Sequence, residues 1–438
     1  MRHVIIAAMF ALGACATAPP MPINLTSGGA APAQNERRPP QDDLIVLALS
    51  GGGARAASFS LGVLEGLRDT RSAASGAPLI HQVTAITAVS GGAILAAYVG
   101  LHGEAGLDTF RAAYLDKNWR LNSLSAPTTW WRAARGGANA AHADWLDREV
   151  YGGARMGEMR TGPRIILNAT DLANATPFAF TPLFTDALCS DVSGIRVADA
   201  VAASMAVPMV FRPVLLEARE GCAEPAWAAR VAQDRDAPET ARATAQAIHA
   251  YGRTQRYVHL TDGGVFDNFG LASLAVMRAA GPAPAPFSAR EAVAARRILF
   301  LIVNSEYDRN IAWPNQATPP GGAETLISAL DAATEASKRG ALDALRASLD
   351  AMQRELITFR CGLEPRTARE LGAAPGWSCA DVSLSLEVLS LHDAGPDAPP
   401  ELIHTSTEVS LPADTVTALI AAGRYAATHN AAVRALAR

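Results

Sequence analysis

The chain predicts an α/β protein built on a parallel sheet, and three stretches carry that prediction. Leu44–Ser50 (LIVLALS) is a continuous apolar run of strand length. It leads through Gly51-Gly52-Gly53-Ala54-Arg55 into helical spacing over Ala56–Leu67. Gln82–Val89 is a second run, apolar, β-branched and uncharged, and Ala93–Leu101 beyond it is helix-compatible. Arg297–Ser305 (RILFLIVNS) repeats the buried-strand signature late in the chain. Successive strand–loop–helix units bring their loops to one edge of a parallel sheet, the carboxyl edge. With 438 residues, 49% hydrophobic, the chain has the material for a sizeable core.

The amino terminus reads as an address. Arg2 precedes an apolar run from Val4 to Leu12, too short to span a bilayer and laid out as a secretory signal. Leu12-Gly13-Ala14-Cys15 resembles the bacterial lipobox, so Cys15 is expected to be lipidated and to attach the protein to a membrane surface. Ala16 in place of an aspartate implies the outer membrane by the usual sorting pattern. Residues 16–43, rich in Pro, Ala and Gly without a hydrophobic period, read as a flexible tether. Residues 44–438 read as one domain with its core in 44–274.

Net charge is -4 and no basic stripe with interleaved aromatics is present, which removes nucleic acid as a partner. The cysteines are not spaced as CxxC, against a zinc knuckle or a thioredoxin-type site. Apart from Cys15 an even four remain, suited to an oxidising compartment. Of three connectivities the sequential one, Cys189–Cys222 and Cys361–Cys379, is preferred. His142, Asp144 and Asp147 lie close together at a spacing common on solvated helix faces, and no metal is assigned to them.

The first glycine loop turns backbone N–H groups towards an anion. It lacks the Gly-Lys-Ser/Thr of a P-loop and the GxGxxG of a dinucleotide fold, so a tetrahedral oxyanion fits better than a phosphate. Ser90, between Val89 and Gly91-Gly92, stands at a strand-to-helix turn, the layout of a nucleophile elbow. Helix capping is the structural alternative for such a serine. A third stretch, Tyr257–Thr261 followed by Asp262-Gly263-Gly264, places an aspartate at a strand end, with glycines that let it approach the serine loop.

These three motifs, GGGxR at Gly51–Arg55, Ala88-Val89-Ser90-Gly91-Gly92 and Asp262-Gly263-Gly264, resemble the patatin-like phospholipase family. Ala88 stands where the family's elbow carries its first glycine, a one-methyl departure that crowds the turn without blocking it. The resemblance spans roughly Leu44 to Leu274. It implies a three-layer α/β/α fold around a central, mostly parallel sheet, with a Ser/Asp dyad at the carboxyl edge. It also implies Ser90 as nucleophile, Asp262 as its base without a histidine, and an oxyanion hole of Gly51, Gly52 and Gly53 with Arg55, which helps directly or by positioning. The implied substrate is the ester bond of a phospholipid, lysophospholipid or other acyl lipid, cleaved without metal or organic cofactor.

Elsewhere the readings are structural. Trp119, Trp130 and Trp131 are core fillers before they are a rim around an acyl-chain entrance. Arg164–Asn168 is a third strand. Asp171 competes for the acid role but lacks diagnostic glycines. Ser204, inside a small-residue helix ended by Pro208, packs on the sheet. Residues 217–256 are an insertion, helical from Trp227 to Tyr251, that reads as a lid or as a surface helix. His259 is expected to make a structural hydrogen bond. Ala323–Phe359 is a long amphipathic helix with a break near Gly340, Val382–Leu391 an edge strand, and Pro412–Arg438 a closing helix. Three rivals stand beside the dyad: a Ser-His-Asp triad using His392 or His404, acyl transfer by the same residues, and a non-catalytic lipid-binding scaffold.

Overall fold

The computed structural model describes residues 21–24, 41–117, 138–159, 162–208, 210–308, 311 and 313–437. Cys15, Trp119, Trp130 and Trp131 lie outside them. Eight strands form one sheet: β1 (Asp43–Leu49), β2 (Val83–Val89), β3 (Arg164–Asp171), β4 (Thr176–Ala179), β5 (Val214–Glu217), β6 (Tyr257–Asp262), β7 (Arg297–Asn304) and β8 (Ser383–Ser390). Their spatial order is β5-β6-β3-β2-β1-β7-β8, with β4 also paired to β3. β1, β2, β3, β7 and β8 are parallel, whereas β4 and β6 run antiparallel to β3, and β5 antiparallel to β6.

Helices cover both faces, which is why the central strands read as unbroken apolar runs: every residue of β1 is buried. One layer holds α1 (Gly53–Asp69), α2 (Ser90–His102), α3 (Val197–Ser204) and α8 (Ala413–His429). The other holds α4 (Ala226–Gln233), α5 (Glu239–Ala250), α6 (Leu271–Ala280) and α7 (Gly322–Cys361). The register of β1 on β7 is held at its start by Arg297, whose Nε and Nη2 donate to both carboxylate oxygens of buried Asp43 at 2.6 and 2.9 Å. Such a two-point fork fixes direction as well as distance.

Four expectations are corrected here. The stretch from Trp227 to Tyr251 is two helices, interrupted before Pro238, whose ring cannot sit inside a helix. α7 runs through Gly340 without a break. The carboxyl-terminal helix is interrupted at Asn430, whose Oδ1 accepts from the N–H groups of Ala432 and Val433 and starts α9 (Ala431–Leu436). The tether is not free along its length: Ile23 N–H donates to Leu215 O at 2.9 Å, and Asn24 is buried. The structure also joins Cys189 to Cys222 and Cys361 to Cys379 by disulfides.

Candidate active site

β3 acts as the ruler of the site. Its residue Asn168 pairs with Val89, the last residue of β2, and the next residue, Ala169, pairs with Asp262, the last residue of β6. Adjacent positions on one strand therefore hold the ends of the serine strand and the aspartate strand together. Because β6 arrives antiparallel, Asp262 meets Ser90 from the opposite direction rather than beside it.

Ser90 follows Val89 (φ -130°, ψ 138°) and itself has φ 51°, a left-handed conformation costly for a residue with a Cβ. Ser204, the last residue of α3, holds it there. The Ser204 hydroxyl accepts from Ser90 N–H at 2.8 Å and donates to Asn168 O at 2.5 Å. Sequence reasoning placed Ser204 as packing only, since a helix interior hides such a role. Asn168 continues the lattice, donating to Thr87 Oγ1 (2.8 Å) and Ala88 O (3.0 Å). Ala88 itself is an ordinary strand residue paired with Leu49 and Leu167, so the elbow needs no glycine there.

Asp262 is buried, 6% exposed. Burial raises its pKa from 3.8 to about 6, while the Gly264 N–H, donating at 2.8 Å, and the Ser90 hydroxyl draw it part of the way back. Thr170 Oγ1 donates to the Asp262 carbonyl at 2.9 Å, and Asp262 N–H donates to Ala206 O at 2.9 Å, so the residue is gripped on both backbone sides.

The glycine loop lies directly against this pair. A Cβ at Gly91 would strike the carbonyl of Gly53, so the amino termini of α1 and α2 meet backbone to backbone. Gly92 approaches the carbonyls of Leu49 and Ser50 in the same way, and Gly263 that of Asn168. Gly52 has φ 136° and Gly53 φ 60°, values that a side chain would oppose. Ser50 and Ser305 lace the ends of β1 and β7 under the loop, with Oγ atoms 2.8 Å apart.

The four expected oxyanion residues divide. The Gly51 N–H is already taken by Asn268, at 3.1 Å to Oδ1 and 3.3 Å to the carbonyl. Arg55 is buried; its Nε donates to Ser305 O and its Nη1 to Thr405 O, both at 2.6 Å, with the guanidinium over the Tyr307 ring. These bonds brace the loop, the positioning role, and burial lowers its pKa to about 10. Ala54 N–H donates to Glu408 O at 2.7 Å. The N–H groups of Gly52 and Gly53 have no acceptor among the described residues. Asn268 lies at the site: a Cβ on Gly264 would come within 2.7 Å of its Oδ1 and 3.1 Å of Asp262 Oδ1. Asp267 caps the start of α6, accepting from the N–H groups of Phe269 and Ala272 at 2.9 and 2.6 Å.

Other candidates fall away from this centre. His404 Nδ1 is 2.8 Å from Asp308 O, and His392 Nε2 is 3.9 Å from Asp308 Oδ1, both rings on the surface. Asp171 accepts from Tyr251 and Asn174 as a loop brace. His259, expected to make a structural hydrogen bond, lies in β6 and is exposed. Beside the aspartate loop a largely apolar groove of about 760 Å³ runs between α6 and α7, lined by Phe266, Leu271, Leu274, Leu345 and Met352. The inserted pair α4–α5 contributes Pro238 and Thr240 to its wall.

A family model described as patatin-like phospholipase matches residues 47–275. Among solved structures, that of VipD from Legionella pneumophila is similar at 13% identity over 63% of this chain, with a TM-score of 0.25. The match covers 52% of the VipD chain, so this chain spans about half the length of that neighbour. No curated protein matches.

Proposed function

Because the chain belongs to the patatin-like phospholipase family, whose activity is lipid acyl hydrolysis, we propose that it cleaves carboxylic esters of acyl lipids through a Ser90–Asp262 dyad. The observation that carries this reading is that adjacent residues of β3 hold the ends of the Ser90 and Asp262 strands together, with the Asp262 carboxylate buried and its pKa raised to about 6. A serine hydroxyl is a poor nucleophile until a base takes its proton. Asp262, ionised above about pH 6, takes it as Oγ attacks the ester carbonyl.

The carbonyl oxygen becomes an oxyanion beside Gly52 and Gly53, whose N–H groups stabilise it with the positive end of α1 behind them. Collapse of the intermediate passes the proton from Asp262 to the leaving alcohol and leaves an acyl-serine. Water then attacks that ester, gives its proton to Asp262, and the fatty acid leaves as Ser90 regains its proton. The groove along α6 and α7 takes the acyl chain, which accounts for its aliphatic lining next to the aspartate loop. The lipobox supports the further reading that Cys15 is lipidated and the protein is held at the bacterial outer membrane.

The test is fatty-acid release from mixed phospholipid micelles by wild type, Ser90→Ala and Asp262→Asn. Release by wild type and loss in both variants is expected. Retention by Asp262→Asn removes the dyad and returns attention to His392 and His404. Incorporation of a labelled fatty acid into the wild type but not Cys15→Ser tests the anchor.

A further inference from the structure

Lysine is rarely buried unless a partner compensates for the water its ammonium loses. Lys338 is 4% exposed and, among the described residues, is the first buried one on α7 counted from Gly322. Its ammonium lies between two carboxylates, 2.8 Å from Glu306 Oε2 and 2.5 Å from Glu335 Oε1. Glu335 is a neighbour on α7 itself, at the i,i+3 spacing of one helix face. Glu306 comes from elsewhere: it stands two residues past the end of β7, on the loop that leaves the carboxyl edge of the sheet.

The glycine loop rests on that β7 loop. Ser305 accepts at its carbonyl from Arg55 Nε at 2.6 Å and donates through Oγ to Gly51 O at 3.1 Å. Glu306 is the next residue, and Asn304 fixes it from behind. Asn304 Nδ2 donates to Glu306 Oε2, and Glu306 N–H donates to Asn304 Oδ1, both at 3.2 Å. Lys338 therefore grips the neighbour of the residue that supports Gly51 and Arg55. The preceding residue of α7 grips the other loop. Ser337 Oγ donates to Phe266 O. Phe266 N–H donates at 3.2 Å to Thr170 Oγ1, the same hydroxyl that donates to Asp262 O. Consecutive residues of a helix point about 100° apart, so a single turn of α7 touches the support of the glycine loop with one side chain and the aspartate loop with the next. Glu306 and α7 both lie beyond residue 275, where the match to the family model ends.

We propose that Lys338 is a positioning residue for the hydrolysis, and that Ser337 and Lys338 together clasp the glycine loop to the aspartate loop so that both keep one geometry about Ser90. The inference rests on the Ser90–Asp262 reading. α7 suits this role because its far end is fixed: Leu356 is buried, Arg360 Nη2 donates to Ser378 O at 2.9 Å, and Cys361 is bonded to Cys379. The helix rises about 1.5 Å per residue, so anchoring that end sets where residues 337 and 338 stand over the edge of the sheet. An apolar side chain in place of Lys338 fills the space but leaves Glu306 without its cation. The β7 loop then shifts, and the glycine loop with it. Misplacement of reacting groups by about 1 Å costs on the order of 10²-fold in rate.

The test compares Lys338→Met, Ser337→Ala and Leu356→Ala in the full chain on a soluble p-nitrophenyl ester, with amide hydrogen exchange followed over residues 50–56 and 262–268. Lys338→Met should lower kcat about tenfold or more with KM within about twofold, and exchange over 50–56 should quicken. Ser337→Ala removes only a hydroxyl; it should quicken exchange over 262–268, lower kcat and leave 50–56 as in wild type. Leu356→Ala, which loosens α7 far from either loop, should lower Tm while kcat stays within about twofold. In a Glu306→Gln background, Lys338→Met should change kcat less than about twofold, since the partner through which it acts is gone. A wild-type kcat in Lys338→Met overturns the proposal, and so does a loss in Leu356→Ala as large as that in Lys338→Met. Where Lys338→Met does not fold, Ser337→Ala decides, and wild-type exchange over 262–268 with wild-type kcat overturns the clasp. Exchange also separates the two readings. Loops that quicken in the variants of a protein without esterase activity keep the clasp and remove the hydrolase. Hydrolysis that depends on Ser90, with exchange and kcat unmoved by either substitution, does the reverse.

Discussion

Asp262→Asn should make the protein more stable and nearly inactive at the same time. Burial lifts the Asp262 pKa from 3.8 to about 6, so between those values the folded protein holds the proton more tightly than the unfolded chain. The stability this provides is complete below pH 3.8 and is lost as pH rises through 6. Above that, the buried carboxylate costs about 3 kcal/mol, at about 1.4 kcal/mol for each pH decade. Asparagine keeps the shape and an acceptor for Gly264 N–H without the charge. Its unfolding free energy should exceed that of wild type by up to about 3 kcal/mol at pH 8, and the difference should vanish towards pH 4. The same change removes the base, an expected loss on the order of 10²–10⁴ in kcat. Urea unfolding followed by circular dichroism at pH 4, 6 and 8, beside hydrolysis of a soluble p-nitrophenyl ester, reads both quantities. The wild-type rate should rise with pH and reach half its maximum near pH 6. An asparagine variant less stable than wild type at pH 8, or one that hydrolyses at the wild-type rate, would refute the reasoning.

Four further outcomes follow from the geometry. Ser204→Ala strands the buried Ser90 N–H, which should cost about 1–3 kcal/mol of stability and lower kcat with little change in KM; Ser204→Thr, which keeps the hydroxyl, should recover part of both. Arg55→Met deprives the carbonyls of Ser305 and Thr405 of their donor. A drop in Tm with loss of fluorophosphonate labelling at Ser90 is expected, and unchanged labelling would show that the brace does not hold the loop. Gly91→Ala drives a methyl group into the Gly53 carbonyl, so esterase activity should vanish even where circular dichroism shows a folded protein. Asn268→Ala leaves the Gly51 N–H only the Asn268 carbonyl at 3.3 Å, so the loop should loosen and kcat fall while the KM for a short-chain ester stays within about twofold.

The three motifs were legible because each is local: a strand, a glycine-bearing turn and the polar residue at its end stand together in sequence. Leu44–Arg55 and Gln82–Gly92 announce two βα units whose carboxyl ends must meet, since parallel strands put their loops on one edge. Long-range partners leave no such mark. Ser204 looks like any small helix residue, yet it holds the Ser90 amide from 114 positions away. Asn268 sits in the aspartate motif, but its acceptor role towards Gly51 exists only after β1 and the loop past β6 come together.

By itself, the sequence determined the alternation of strands and helices, the turns that carry Ser90 and Asp262, and the glycines that let backbones touch. Hydrophobic period and turn chemistry act within about a dozen residues and are written along the chain. Only the tertiary structure decided that β6 enters antiparallel so that Asp262 meets Ser90 end to end on β3. It alone tied Arg55 to the carbonyls of Ser305 and Thr405 and the Gly51 N–H to Asn268. It also pinned Ile23 and Asn24 to β5. Those outcomes depend on which backbone donors other segments have already taken, and hydrogen-bond competition is settled only when the whole chain is packed.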